Sequence, residues 1–314
     1  MKNIFTPSEI EKAKAVLNST LLKKLLEKNS RRLNVLTDFF TENKIPHNVV
    51  ILKNHKHCVL RFNKNFYTNS FATKTLIAHY DRCGNEFGAN DNSAACVQLA
   101  FFAKELLHEK TAHNIQIIFT DGEELNKKSL STQGAFWLGL GLRKLGLHTE
   151  QLVLVLDLCG RGDFLVFSDA GIFLRDRENT ASLKKTQKLA VKTADENKLP
   201  HLILPTAFSD NAGLLASGIN AQLITVLPQN EAESFHSLLQ VLREKLPKEK
   251  FDNFVKKNIL ESYETAESEK IKPATWKLPH TKQDKFESLN IEAFALINKF
   301  LHGLKKLKVT PPLS

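Results

Sequence analysis

Apolar residues change their spacing several times along the chain, and these changes predict helices that alternate with strands. Thr6 and Pro7 are typical of a helix start, and apolar residues then recur every three to four positions from Ile10 to Leu25, which predicts one amphipathic helix. Helical spacing predicts further helices at residues 33–40, 93–107, 134–146, 180–194, 211–217 and 291–306. Shorter apolar segments predict strands at residues 48–53, 57–62, 74–80, 114–120, 151–158, 163–168, 171–174 and 221–227.

The alternation of strands and helices predicts an α/β fold with a mixed, mostly parallel sheet that helices cover on both faces. Segments 74–80 and 151–158 are apolar at nearly every position, as expected for strands buried on both sides. We predict a single domain over residues 1–314, with N-terminal helices within 1–45 and a charged helical insertion over 231–275.

Composition narrows the class of protein. Hydrophobic residues make up 42% of the chain and no apolar run approaches the roughly 20 residues that cross a bilayer, so we expect no membrane segment. The N-terminus lacks the continuous apolar segment of a secretory signal, and the four cysteines show no paired CxxC spacing; we expect a cytoplasmic protein with reduced thiols. The net charge of +10 raises the question of nucleic acid. Basic residues at 243–257 and 298–308 alternate with apolar ones at helical spacing, which indicates solvated helix faces and no nucleic-acid partner.

The polar residues at the ends of these predicted elements carry the candidate chemistry. They are His79 and Asp81 after one strand, Asp91 in the turn before a helix, Glu123 and Glu124 after the next strand, Asp157 at the end of another, and His280 near the C-terminus. Imidazole nitrogen and carboxylate oxygen are ligands that zinc accepts. Two histidines with three or four carboxylates suffice for two ions that share a bridging group. We therefore expect a metal-dependent hydrolase.

Local context strengthens several of these candidates. Asp157 follows five apolar positions of a central strand, and a buried carboxylate is costly unless a cation pairs with it. His79 and Asp81 lie two apart in a strand, so the carboxylate can orient the imidazole ring. Glu123 and Glu124 follow the carboxyl end of a strand, where open α/β sheets place ligands. One can bind a metal while the other holds a water molecule.

Each candidate also has a purely structural interpretation. Asp91 is suited to cap the helix that follows it, and a histidine at a strand end or in a loop, as at His79 and His280, is often hydrogen-bonded without any ligand. The glutamate pair alone is typical of a solvated acidic loop. Segment NHKHC at 54–58 brings two histidines and a cysteine together but lacks a carboxylate partner, which argues against a second metal site there.

Six segments of the chain carry a family resemblance. AHYD, GANDNSAACVQLAFFAKEL, IQIIFTDGEEL, LVLVLDLCG, SDNAGLLASGI and HTKQDKFESLN occur in the order and spacing seen in zinc-dependent aminopeptidases of the bacterial leucyl aminopeptidase type, over roughly residues 75–304. This family is related to glutaminyl-peptide cyclotransferases. The resemblance implies a metallopeptidase-like catalytic domain with a twisted, mixed sheet of about eight strands between helices.

The resemblance also implies a role for every candidate residue. Two zinc ions are implied, with His79 and Asp157 on one, Glu124 and His280 on the other, and Asp91 as the bridge. Glu123 is implied as the general base, Asp81 as the residue that orients His79, and a peptide as the substrate.

Some features depart from the family peptidases. The loop LNKKSLSTQGA after the glutamate pair is longer, and both this loop and Cys96 resemble the cyclotransferases. Pro279 precedes His280 where the cyclotransferases have tryptophan. We predict an aminopeptidase; the alternatives are a cyclotransferase that forms N-terminal pyroglutamate with one zinc ion, and a noncatalytic metal- or peptide-binding protein. The presence of Glu123 beside the ligands argues against the last, because a binding protein does not need a base there.

Overall fold

A single eight-stranded sheet organises the chain. The computed structural model describes residues 4–84, 86–124, 129–147, 151–173, 177–260 and 266–311. The strands are β1 His47–Leu52, β2 His55–Arg61, β3 Thr73–His79, β4 Ile115–Thr120, β5 Gln151–Leu156, β6 Phe164–Ser168, β7 His201–Leu204 and β8 Ala221–Leu227. Their order across the sheet is β1-β2-β4-β3-β5-β8-β6-β7.

The centre of the sheet is parallel. Strand β3 lies between β4 and β5 with both pairings parallel, and β5 pairs in parallel with β8. Antiparallel pairings occur toward the edges, where β2 joins β4, β1 joins β2, and β6 joins β8. Every residue of β4, β5 and β8 is buried, which agrees with their apolar sequences. The predicted mixed, mostly parallel α/β fold is confirmed.

Eleven α-helices surround the sheet in the part of the chain that the structure describes. They are α1 Pro7–Leu17, α2 Thr20–Leu26, α3 Arg32–Glu42, α4 Ala94–Leu106, α5 Gly134–Lys144, α6 Arg177–Glu196, α7 Asp210–Ala216, α8 Gln229–Lys245, α9 Lys248–Val255, α10 Ala266–Ile271 and α11 Ile291–Lys306. Alternate strand residues face opposite layers. Leu76 of β3 packs in the cluster that includes α1 to α4 and α11, whereas Ile77 packs with α5 and α7.

Two predicted elements were wrong and one strand was missed. The predicted N-terminal helix breaks after Leu17, because the Ser19 side chain accepts a hydrogen bond from the Leu22 amide and starts α2. The strand predicted at 171–174 is instead a 3-10 turn over Ala170–Phe173, with residue 174 outside the described residues. Strand β7 was missed because four residues are too short to show a period.

The segment predicted as a helical insertion folds as α8, α9 and α10 with a turn over Lys256–Leu260 between the last two. Phe235 of α8 and Phe251 of α9 pack with Val166 of β6 in a third apolar cluster. Residues 261–265 lie outside the described residues. The boundaries 231–275, and the single-domain organisation, stay predictions.

Among the residues that the structure describes, no helix is both long and apolar enough to cross a membrane.

Candidate metal centre

Three adjacent central strands bring the candidate residues to one edge of the sheet. His79 is the last residue of β3, and Asp157 directly follows the last residue of β5. The glutamate pair follows β4 after the turn at Asp121 and Gly122. Because β4, β3 and β5 are parallel neighbours, their carboxyl ends lie side by side, which is where open α/β sheets bind ligands.

Asp91 reaches this edge from the turn between β3 and α4. It does not cap α4, because Ser93 holds the N-cap position and no side-chain capping hydrogen bond is present. Gly88 begins the turn with a φ of +59°, and a Cβ there would lie 2.5 Å from the Asp91 carbonyl oxygen. Asn92 fixes the other side of the turn by donating a hydrogen bond to the Leu156 carbonyl at 2.8 Å. The turn therefore places the Asp91 carboxylate against the end of β5.

The two carboxylate oxygens of Asp91 face two different histidines. Oδ1 lies 3.2 Å from His79 Nε2, and Oδ2 lies 3.4 Å from Nε2 of His280, which arrives from the segment between α10 and α11. His79 Nε2 also lies 3.6 Å from Asp157 Oδ1, and His280 Nε2 lies 2.9 Å from Glu124 Oε2. The structure thus brings all five predicted ligands together in two groups with Asp91 between them.

Three of these four distances, 3.2–3.6 Å, are close to those between ligands that converge on a metal ion, and the fourth, 2.9 Å between His280 and Glu124, is shorter. Two nitrogen or oxygen ligands about 2.0–2.2 Å from one zinc ion lie about 3.3–3.6 Å apart at tetrahedral angles. His79 Nε2, Glu124 Oε1 and Asp157 Oδ1 are buried and have no hydrogen-bond partner among the described residues. Buried polar atoms in native proteins nearly always have a partner. The donor set therefore fits cations at this edge of the sheet.

Shifted pKa values in the centre indicate an excess of negative charge. Burial raises the pKa of Glu123 well above its ordinary value. Burial and the Asp91 carboxylate raise the pKa of Glu124 to about 7. Hydrogen bonds to Asp91 and Glu124 raise the pKa of His280 to about 11. Burial by itself would lower the pKa of His79, but the surrounding carboxylates hold it well above its usual range. Divalent cations would neutralise this charge.

Asp81 connects β3 to the glutamate pair. Its Oδ1 lies 3.6 Å from His79 Nδ1, on the side of the ring opposite the other carboxylates. Its two oxygens also accept hydrogen bonds from the backbone amides of Glu123 at 3.4 Å and Glu124 at 3.0 Å. Asp81 therefore fixes the turn that carries both glutamates, in addition to lying behind the imidazole.

The NHKHC segment supports this turn from outside. His57 Nδ1 accepts a hydrogen bond from the Asp121 amide at 3.4 Å, and the Lys56 amide donates to the Asp121 carboxylate at 3.0 Å. Burial lowers the pKa of His57 to about 4, so this ring is neutral at pH 7. Among the described residues, neither His55 nor His57 lies in a cluster of three or more His, Cys, Asp or Glu side chains that could hold a metal ion.

The chain resembles one protein family over most of its length. The sequence model described as peptidase family M28 matches residues 68–304. The chain belongs to peptidase family M28. No curated protein sequence matches it. The family confirms the resemblance seen in the sequence.

Solved structures show the same fold as this M28 chain. A glutaminyl cyclase from an Acidobacteriales bacterium is 14% identical with a TM-score of 0.60, and 94% of this chain covers 93% of that one. The glutaminyl cyclase of Porphyromonas gingivalis is 13% identical with a TM-score of 0.57, at coverages of 96% and 98%. The LapA aminopeptidase of Legionella pneumophila is 14% identical with a TM-score of 0.54, at coverages of 97% and 75%. At these identities the likeness shows a shared fold.

Asp284 is a supporting residue of this M28 site that the sequence did not reveal. It is fully buried, and its carboxylate accepts hydrogen bonds from the amides of Asn90 at 2.7 Å and Asp91 at 3.0 Å. The signal was a carboxylate four residues after His280 in the same segment. Asp284 thus ties the segment that carries His280 to the turn that carries Asp91.

We expect Asp284→Ala to lower zinc affinity by about 10–100-fold, because partners that orient metal ligands commonly contribute that much. Zinc titration of the purified variant measures the effect. Glu287→Ala, at an exposed position on the same segment, is the matched control. Equal affinities in Asp284→Ala and the native protein would remove Asp284 from this role.

Arg32 is a second supporting residue, supplied by the N-terminal helices. Its guanidinium is buried and donates hydrogen bonds to six acceptors. They are the carbonyls of Leu25, Tyr80, Asp81, Phe87 and Gly88 and the hydroxyl of Ser93. One side chain therefore holds both the loop after β3 and the turn before α4 in place.

We expect Arg32→Leu to destabilise the protein by about 3–5 kcal/mol, because several buried carbonyls lose their donor. Urea unfolding measures the change. Arg31→Leu changes the exposed neighbour on the same helix start and is expected to have an effect within about 0.5 kcal/mol. Comparable losses in both variants would contradict the role of Arg32.

Proposed function

We propose that the protein is a zinc-dependent aminopeptidase that releases N-terminal residues from peptides. The observation that carries this proposal is the position of Asp91, whose two carboxylate oxygens face His79 and His280 on opposite sides. A carboxylate placed in this way suits a bridge between two ions. His79 and Asp157 would hold one ion, and Glu124 and His280 the other.

Glu123 is the proposed general base. Its carboxylate oxygen, a nitrogen of His79 and a carboxylate oxygen of Glu124 all lie within 4.8 Å of one another, so it adjoins the ligands of both ions. Zinc, when bound, supplies a Lewis acid and lowers the pKa of coordinated water to about 7. Glu123 takes the proton from the attacking water and delivers it to the amine that leaves.

Access to the centre is from the side of His280. Its side chain is 51% exposed, whereas that of His79 is fully buried. The side chains of Asp157 and Asp91 are mostly buried, with exposed fractions between those of His79 and His280. A peptide would therefore approach over the pair formed by Glu124 and His280, with the more deeply buried His79 beneath them. The peptide substrate, the cytoplasmic location and the lack of a nucleic-acid partner stay predictions.

Glutaminyl-peptide cyclotransferase is the second candidate. Two of the solved structures that share the fold are glutaminyl cyclases, and the chain spans 93% and 98% of their lengths. Of the two tryptophans in the chain, Trp276 packs against Phe235 at a ring-centroid distance of 5.3 Å, within the apolar cluster of α8 and α9. Trp276 is the tryptophan nearest His280 in sequence, and its ring contacts Phe235 in this apolar cluster. The position of Asp91 between His79 and His280, which suits a bridge between two ions, supports the peptidase.

A substrate panel separates the candidates. The zinc-loaded protein is incubated with aminoacyl-anilides and with a glutaminyl peptide, each with and without chelator. The proposal expects free amino acid from several anilides and loss of this product with chelator. Pyroglutamyl product alone would establish the second candidate in its place, and no product from any substrate would indicate a noncatalytic binding protein.

A further inference from the structure

Cys83 lies beside the solvent-facing half of the metal centre. It follows β3 in the loop that also carries Asp81. Its sulfur, a carboxylate oxygen of Glu124 and a ring nitrogen of His280 all lie within 4.8 Å of one another. This group shares no residue with the one formed by His79, Asp91 and Asp157, whose ligand atoms also lie within 4.8 Å of one another.

We propose that Cys83 is a direct ligand of the ion that Glu124 and His280 hold. The proposal deepens the proposed function and rests on its metal centre, but it does not depend on the substrate. With Cys83, that ion has three protein ligands of its own in addition to the bridging Asp91. Cysteine sulfur, imidazole nitrogen and carboxylate oxygen are all established zinc ligands, at about 2.3 Å for sulfur and about 2.0–2.2 Å for the others.

The side chains beside Cys83 indicate a bound cation at this place independently of the cysteine. The Glu124 side chain is only 6% exposed, and its Oε1 has no hydrogen-bond partner within the described ranges. His280 Nε2 faces two carboxylates, those of Glu124 and Asp91. A soft thiolate completes a set that would otherwise contain one nitrogen and only carboxylate oxygens.

The other three cysteines are used differently. Cys58, Cys96 and Cys159 are all buried. The Cys96 thiol donates to the His79 carbonyl at 3.1 Å, and the Cys159 thiol donates to the carbonyls of Asp157 and Ile224 at 3.4 Å. Cys83 is half-buried. Among the described residues, it is the cysteine whose sulfur lies close enough to other possible ligands to share a metal ion with them.

A thiolate ligand has chemical consequences for the ion. Cys83 binds as the thiolate, so its proton passes to solvent when the metal binds. The added negative charge lowers the Lewis acidity of this ion relative to one held by nitrogen and oxygen alone. It also fills a coordination position. We therefore expect the ion of His79 and Asp157 to remain the stronger activator of water.

Cobalt spectroscopy tests the proposal without relying on activity. The protein is freed of metal with a chelator and titrated with Co²⁺, and its near-ultraviolet absorption is recorded. A thiolate ligand gives a sulfur-to-cobalt charge-transfer band that nitrogen and oxygen ligands do not give. We expect this band in the native protein and in Cys58→Ser, and its loss in Cys83→Ser with the visible cobalt bands retained.

A second variant guards against an indirect effect of the serine. Cys83→Asp replaces the thiolate by another metal ligand. Removal of an outer partner of a metal ligand already costs about 10–100-fold in affinity. We expect Cys83→Ser to weaken the second equivalent of zinc by at least about tenfold, and Cys83→Asp to recover most of that loss without the charge-transfer band.

The outcomes distinguish this inference from the proposed function. Cobalt binding at two equivalents without a charge-transfer band in the native protein would overturn the role of Cys83 and leave the metal centre intact. Binding of the second equivalent by Cys83→Ser as tightly as by the native protein would overturn that role as well. Failure of the native protein to bind cobalt or zinc at all would overturn both the role of Cys83 and the metal centre.

Discussion

Glu123→Gln is expected to lower kcat by about 10²–10⁴-fold, the range in which a general base contributes to catalysis. The amide has nearly the size of the carboxylate but cannot accept a proton from water. Glu123 is not one of the five proposed ligands, so zinc should still bind. KM should change little, because the base acts in the transition state and not in substrate binding.

Turnover of the best anilide and zinc content, measured on the same preparation, test this expectation. Glu244→Gln, at an exposed position on α8, is the matched control and should behave as the native enzyme. Near-normal turnover of Glu123→Gln would contradict the assignment of the base. Loss of both activity and zinc would instead make Glu123 a ligand.

Removal of zinc is expected to abolish activity and to destabilise the protein increasingly as pH rises. Zinc at 100 times its Kd stabilises a folded protein by about 2.7 kcal/mol. For a chain of this size that corresponds to a shift in Tm of about 4 °C near pH 7. Chelated protein should therefore melt lower, and added zinc should restore both activity and Tm.

The direction of the pH dependence follows from the raised pKa values. Burial raises the pKa of Glu124 to about 7 from 4.5. It also raises to about 7, from 3.8, the pKa of Asp210, the fully buried first residue of α7, whose carboxylate accepts a hydrogen bond from the Thr120 hydroxyl. Each group binds more protons in the folded chelated protein than in the unfolded one. Its contribution to stability is complete below the unfolded pKa and is lost as pH rises toward 7.

His280 acts in the same direction at higher pH. Its pKa is raised to about 11 from 6.5 by Asp91 and Glu124, so its stabilising contribution is complete below pH 6.5 and is lost as pH rises toward 11. Metal ions compete with protons for the ligands Glu124 and His280. The difference in Tm between zinc-loaded and chelated protein should therefore grow from pH 5 to pH 8.

Differential scanning calorimetry across this pH range measures the difference. Asp157→Asn, which removes a proposed ligand charge, should reduce the zinc-dependent shift at every pH. Asp252→Asn on α9 is the control. A Tm of the chelated protein that rises from pH 5 to pH 8, or one that zinc does not alter, would contradict the charge balance described here.

The sequence predicted those residues of the site that lie at the ends of strands, because the strands themselves are recognisable from their apolar residues. His79 ends β3, Asp157 directly follows β5, and the glutamate pair follows β4 after a two-residue turn. Because these parallel strands are neighbours, their carboxyl ends lie together. Asp91 required more, because a carboxylate at a helix start has an equally good structural interpretation as a cap. His280 lies 189 positions later in the sequence. Only the folded chain shows that its ring approaches the Asp91 carboxylate.

The supporting contacts could not be predicted from local pattern. Asp284 accepts hydrogen bonds from amides 194 and 193 residues earlier, and Arg32 donates to carbonyls 48 and 49 residues later. Both act mainly on backbone groups, which every residue has, so the sequence does not indicate which groups they bind. The break between α1 and α2 was missed for a different reason. The apolar residues keep a helical spacing across it, and the hydrogen bond of the Ser19 cap, which starts α2, does not alter that spacing.

Anomalous X-ray diffraction at the zinc edge, from crystals of the zinc-loaded protein, tests the metal centre most directly. We predict two peaks about 3.5–4 Å apart, one within coordination distance of His79 and Asp157, the other of Glu124 and His280, and both in contact with Asp91. A single peak, peaks at other residues, or no anomalous signal at this edge of the sheet would contradict a two-ion centre bridged by Asp91.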